Sequence, residues 1–240
     1  MDFFLSAENL ETEKGESNYT EKLIKFKHLP AYYHKPPVPE VIKPRAEFGL
    51  SDDEHIYLCN QNLKKVHPNM DKLFLGILEK DSKGLLLLIE DKQENITQQL
   101  KNRLEKNLGS HYDKVRFLGR MSETEYLNLL KVSDVILDTL YYGGGANTTY
   151  DAFATGTPIV TLPTELHRGR YAYASYHQIG VTDCIANTEQ EYIDISVKLA
   201  NDSQYRSDIS SRIEKQGNSI FEDKFVIKEF IEFLEKTLEI

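Results

Sequence analysis

Residues 138–170, DTLYYGGGANTTYDAFATGTPIVTLPTELHRGR, decide the fold. The apolar run Val135–Leu137 ends in an acid, Asp138, and the chain then passes through three consecutive glycines, Gly143, Gly144 and Gly145. Asn147, Thr148 and Thr149 follow, then a helical stretch carrying Asp151, then a second apolar run from Pro158 to Leu162. Strand, glycine turn and helix start are how α/β proteins hold a diphosphate: amides at the helix N-terminus point outward and the helix dipole favours negative charge there.

The same alternation runs outward in both directions. Strands are expected at Ile56–Cys59, Leu85–Ile89, Val115–Leu118, Val135–Leu137, Ile159–Leu162 and Asp183–Ala186. Helices are expected at Asp71–Lys80, Ile96–Leu108, Ser122–Val132, Thr148–Ala154, Arg170–Gln178 and Glu189–Ala200, with two more near 203–215 and 224–238. Ser122 with Glu125 makes a capping box, and Thr188 opens its helix. Short apolar strands alternating with helices predict a doubly wound parallel Rossmann-like sheet with helices on both faces. The first 35 residues differ, with short strands at Phe3–Leu5 and Lys22–Lys27. Residues 36–47 begin with PPVPEVIKP, whose four prolines in nine residues predict an extended linker. A domain over 48–240 follows.

Composition excludes several function classes. Net charge is −9, with 40% hydrophobic and 28% charged residues, which argues against nucleic acid or an anionic membrane as the main partner. The longest apolar run, Leu85–Ile89, is too short to span a bilayer, and the N-terminus lacks the pattern of a signal peptide. Cys59 and Cys184 are expected to be buried free thiols of a cytoplasmic protein. No Cys/His cluster has metal-ligand spacing.

In a doubly wound sheet, ligands sit beyond the carboxyl ends of the strands. Lys64 and Lys65 follow the first strand of the domain and offer a phosphate counter-charge; the plain alternative is solvent-exposed charge. Arg120 and Tyr126 bracket the loop after the third, where Tyr126 either stacks on a base or packs as a half-buried helix residue. Gly144, Gly145, Thr148 and Thr149 form the anion cradle, with Asn147 as the helix N-cap. Asp151 can accept ribose hydroxyls, or is an acid favoured in a first turn. Arg168 and Arg170, against a helix N-terminus, make a compact basic site that wants an anion, and His167 beside them is expected on the surface. Neither GxGxxG nor GxxxxGK[ST] is present, against an ordinary NAD site or a Walker ATPase.

FGLSDDEHIYLCNQNLKKVHP, VRFLGRMSETEYLNLLKVSDVILDT, GGGANTTYDAFATGTPIVTLP and EQEYIDISVKLANDSQYR, in that order, resemble the C-terminal half of the catalytic region of O-linked N-acetylglucosamine transferases of the SPINDLY type. GGGANTTYDAF followed by ELHRGRYAYASY looks most like bacterial members, and MDFFLSAENL and NYTEKLIKF resemble the end of the family's N-terminal Rossmann half. The resemblance implies the GT-B fold and inverting transfer from a UDP-sugar, UDP-N-acetylglucosamine first, with no metal cofactor. It implies that Lys65 neutralises the diphosphate, that Arg120 and Met121 lie in the loop that reads uracil, that Thr148 meets the phosphates and that Asp151 holds the ribose. Asn62 stands where well-known members have glutamine, Tyr126 where they have a histidine beside the nucleoside, and Ala146 where they have a histidine in a glycine loop one residue shorter. The implied partners are the nucleotide-sugar donor, a protein or glycan acceptor, and an N-terminal catalytic half or tetratricopeptide repeat protein. The expectation is a donor domain incomplete for catalysis alone. A docking module that keeps the fold and a sugar-nucleotide epimerase are the alternatives.

Overall fold

A computed structural model describes residues 2–238; Met1, Glu239 and Ile240 lie outside the described residues. Five parallel strands form the main sheet: β3 (His55–Cys59), β4 (Gly84–Ile89), β5 (Val115–Leu118), β6 (Val135–Leu137) and β7 (Ile159–Val160), in the order β5-β4-β3-β6-β7. The registers are set by pairs such as Ile56–Leu85, Leu58–Ile136 and Leu137–Val160. Leu86, Leu87 and Leu88 are all buried, as both-face burial of an interior parallel strand requires. The expected strand at Asp183–Ala186 reduces to a single bridge, Thr161 with Ile185, and β7 stops at Val160. At this edge one ladder contact is all the chain supplies.

The helices are α1 (Met70–Lys80), α2 (Glu94–Leu108), α3 (Glu123–Val132), α4 (Gly145–Thr155), α5 (Tyr171–Ile179), α6 (Glu189–Asn201), α7 (Ser203–Gln216) and α8 (Lys224–Leu238). Ser122 accepts the Glu125 amide while Glu125 returns to the Ser122 amide, completing the capping box, and Thr188 caps α6. Both cysteines are buried free thiols whose pKa burial pushes up to about 12.

The N-terminal segment forms a separate two-stranded parallel sheet, β1 (Phe3–Ala7) with β2 (Lys22–Phe26). Two strands alone are marginal, and α8 supports them. Phe233 packs edge-on against Phe3, and Glu229 accepts the amides of Lys27 and His28 at 2.8 and 3.1 Å. The proline segment is extended up to a single-turn helix, Arg45–Phe48. There Arg45 meets buried Asp134 at 2.9 Å, as does Arg206 of α7. The chain is therefore fastened to the main domain at Arg45.

Candidate functional site

The sheet order creates one topological switch. From β3 the chain winds outward through β4 to β5, then returns to β6 on the other side of β3. The loops after β3 and β6 therefore diverge and leave a crevice at the strands' carboxyl ends. After β3, Asn62 accepts the Lys64 amide at 3.0 Å and starts a tight turn over Leu63–Lys65. That turn carries Lys65 across the crevice. Its Nζ lies 3.4 Å from the Gly143 carbonyl and 4.7 Å from the centre of the Tyr142 ring. Burial lowers the Lys65 pKa, and Asp138 opposes that.

Asp138, at the end of β6, is 3% exposed. Its carboxylate accepts the amides of Gly144 (2.7 Å) and Thr139 (3.0 Å) and the Thr161 hydroxyl (2.8 Å). Burial pushes its pKa up, against those hydrogen bonds. Within the loop that the bond to Gly144 closes, Tyr141 adopts φ 66°, a strained value for a non-glycine residue. Helix α4 then starts at Gly145, with Gly144 as its N-cap and no side chain closing over the first turn. Asn147 is thus not the cap; it sits exposed within that first turn. The earlier start also changes which threonine faces the loop. Thr149 is fully buried and its hydroxyl donates to the Gly145 carbonyl at 2.9 Å, so it cannot meet a phosphate. Thr148 packs beside Gly144 instead.

Gln61 lies in the strand-end turn Asn60-Gln61-Asn62, and the sequence alone gives its side chain no role. It is 3% exposed, and its Nε2 has no hydrogen-bond partner. A Cβ on Gly144 would come within 2.7 Å of that nitrogen. An unpartnered amide donor, an uncapped helix start and the Lys65 ammonium thus converge on one loop, an arrangement that favours a bound anion.

On the α3 side of α4 lies a cavity of about 380 Å³ lined by Arg120, Met121, Tyr126, Asn147 and Asp151, with Tyr33 from the N-terminal segment. Burial, with Glu123 adding to it, pushes the Asp151 carboxyl up to about 6, and Tyr126 opposes the shift. The Tyr126 hydroxyl accepts from Asn60 at 2.8 Å. Tyr33 packs edge-on against Tyr150 at 4.8 Å. Nothing local in the sequence links Tyr33 to this pocket.

The two arginines separate. Arg168 is exposed, donates to the Tyr141 carbonyl at 3.1 Å and lies 5.9 Å from the Tyr142 ring; its own carbonyl accepts the Gly143 amide at 3.0 Å. Arg170 stacks on Tyr173 at 4.4 Å, donates to the Thr164 carbonyl, and lines neither the nucleoside-sized cavity nor the larger cleft beside Lys65. They are not one basic site. His167, expected on the surface, is half-buried: it lies 2.9 Å from Glu11, which also binds Ser6 and Tyr19. Among the described residues no three His, Cys, Asp or Glu side chains converge as a metal centre needs.

The sequence profile of glycosyl transferase family 41 matches residues 13–232. The chain belongs to this family. The family 41 domain is 28% identical over 200 residues to the UDP-N-acetylglucosamine–peptide N-acetylglucosaminyltransferase of Caenorhabditis elegans, a match covering 82% of the chain and 17% of that protein. It is 22% identical over 206 residues to the probable transferase SPINDLY of Solanum lycopersicum, covering 84% of the chain and 22% of the relative. The chain thus spans about a fifth of the length of these curated relatives. In fold it is similar to a variant of the Thermobaculum terrenum O-GlcNAc transferase, with TM-score 0.84 and 24% identity over 97% of this chain and 44% of that one. The family 41 domain is therefore a parallel α/β unit of the GT-B type, and its crevice belongs to a glycosyltransferase-type donor domain. No helix among the described residues is long and apolar enough to cross a membrane.

Proposed function

We propose that this domain binds a UDP-sugar, UDP-N-acetylglucosamine first, for inverting O-glycosyl transfer. The observation that carries the reading is the placement of Lys65 and the uncapped start of α4 around one loop, with the Asp151 pocket on the adjoining side of the same helix. A nucleoside in that pocket directs its diphosphate to the helix start. Asp151 accepts ribose hydroxyls, Arg120 and Met121 border the base, and Tyr126 and Tyr33 wall the nucleoside. Departure of the sugar leaves negative charge on the diphosphate. Lys65, the α4 amides, Gln61 and Thr148 are positioned to stabilise that charge, and catalysis of this kind rests on positioning and preorganised electrostatics. In this reading the activation of the acceptor hydroxyl falls to an N-terminal half, and the domain is incomplete for catalysis alone.

Calorimetry with UDP on the wild type and on Lys65→Ala tests the binding claim. Loss of the charge-assisted contact is expected to weaken binding about tenfold. Equal affinity, or no binding to either protein, overturns it. A second reading, a docking module for a separate N-terminal half, draws on the apolar side chains that α8 leaves exposed, with Phe225 at 65% and Ile227, Phe230 and Ile231 less so. Light scattering separates the two: a clean monomer that binds UDP disfavours obligate docking.

A further inference from the structure

Beside Lys65, on the opposite side of the crevice from the Asp151 pocket, lies a cleft of about 910 Å³. It runs along α2, where Ile96, Gln99, Leu100 and Arg103 face it at the spacing of one helical stripe. A stripe of that span is roughly 10 Å long, more than one sugar ring occupies. The opposite wall is Tyr141 and Tyr142, and the end near the glycine loop carries Lys64, Lys65 and Arg168. Among the described residues no Asp or Glu lines this cleft, although the chain as a whole has net charge −9.

The cations differ in how far they are already neutralised. Arg103 is paired with buried Asp71 at 3.0 Å and donates to the Val66 carbonyl, so it is part of the wall. Lys65 and Arg168 reach backbone carbonyls and the Tyr142 ring, and Lys64 extends into solvent. With Lys65 committed to the diphosphate, the charge left uncompensated is that of Lys64 and Arg168, at the mouth of a cleft with an apolar floor of Leu63, Ile96, Leu100 and Leu140. A neutral glycan finds acceptors in Asn62, Gln99 and the hydroxyls of Tyr141 and Tyr142, but it leaves the cations without a counter-charge. Carboxylates interleaved with aliphatic side chains match both the charge and the floor.

We infer that this cleft takes an acidic segment of a polypeptide acceptor, held alongside α2 with its hydroxyl end toward Lys65. The inference rests on the donor reading above and names the acceptor class for the same site. Charge complementarity of this kind steers encounter and selects partners.

The test uses the full chain and fluorescence anisotropy. The probe is a labelled peptide with a central Ser flanked by Glu, Asp and Leu, and its twin carries Gln and Asn at the acidic positions. The acidic peptide is expected to bind about tenfold more tightly than the twin, with the preference shrinking as salt is raised. Gln99→Glu is expected to weaken the acidic peptide about fivefold and Gln99→Lys to strengthen it by a similar factor, both with wild-type UDP affinity. A merely structural role for Gln99 would not reverse sign with charge. Equal binding of the two peptides, binding of neither, or tighter binding of a heparin oligosaccharide at matched charge overturns the inference; the last assigns the cleft to anionic glycans. A parallel UDP titration keeps the two readings apart: absent UDP binding removes the donor reading, whereas UDP binding with charge-blind peptide binding removes only this one.

Discussion

Asp138 Oδ1 accepts the amide hydrogen of Gly144 at 2.7 Å, closing the glycine loop from a strand end six residues earlier in the chain. The same oxygen accepts the Thr139 amide, while Oδ2 takes the Thr161 hydroxyl. The carboxylate therefore shapes the loop that α4 springs from, and it does so without a paired cation in contact.

Replacing Asp138 separates shape from charge. Asp138→Ala is expected to cost about 1–3 kcal/mol of stability, because buried amides lose their acceptor, and to abolish UDP binding. Asp138→Asn keeps an oxygen for the two amides and presents an NH₂ to the Thr161 hydroxyl. It is expected to stay within about 1 kcal/mol of wild type and to hold or raise UDP affinity, since a buried negative charge behind the seat is gone. Thermal denaturation and calorimetry on both variants check this; an Asn variant as damaged as the Ala variant contradicts it.

The adjacent glycines should fail for different reasons. Gly144 has an ordinary helical backbone, but a Cβ there would come 2.7 Å from both Gln61 Nε2 and Thr148 Cβ. Gly145 has φ +65° and nothing within 4 Å of a Cβ. Gly144→Ala is expected to cost about 1–3 kcal/mol through crowding. Gly145→Ala is expected to cost roughly 1–2 kcal/mol through its backbone, and Gly145→Asn, which tolerates that region, less. Melting temperatures decide it: an Asn no better than Ala at position 145 removes the backbone explanation.

Asp151 gives the crevice a pH signature. Its pKa is raised to about 6, chiefly by burial. A raised carboxyl contributes stability that is present below its unfolded pKa and is lost as pH rises through about 6. Asp151→Asn is therefore expected to raise the melting temperature at about pH 8, with a gain that shrinks toward pH 4. Ligand binding moves the other way, because ribose hydroxyls bond more strongly to the charged form. Uridine, which lacks phosphates that titrate in this range, should bind the wild type less well as pH falls below about 6. The Asn variant should show no such fall, and calorimetry across that range reads both proteins.

Asp134 anchors the fold just before β6, at the end of the strand away from the glycine loop. It accepts from Arg45 and Arg206 at 2.9 Å each and from the Ile56 amide at 2.7 Å. Asp134→Ala leaves two guanidinium groups without their carboxylate and is expected to cost about 3–5 kcal/mol. Denaturant titration should show this, with UDP binding retained below the transition.

Much of the framework is legible from local pattern. Val115–Leu118 and Val135–Leu137 appear as strands where their apolar runs place them, and Ser122 with Glu125 forms its capping box because both partners lie within one turn. Legibility fails where the deciding partner is distant. Asn147 has the right chemistry for a cap, but the carboxylate that organises the loop comes from Asp138, so the helix starts at Gly145 and Thr149 turns inward. Tyr33 reaches the Asp151 pocket from beyond the proline segment, and His167 meets Glu11 from 156 residues away in the chain. Gln61 matters because its Nε2 lacks a partner, a property that exists only once the chain has folded.

The two amides that Glu229 accepts, at Lys27 and His28, make α8 something other than a trailing appendage. A deletion of the last fifteen or so residues would leave the central sheet intact and strip the support from strands formed at the other end of the polypeptide. A tag or fusion placed at the carboxyl terminus would therefore load the two-stranded sheet at the opposite terminus.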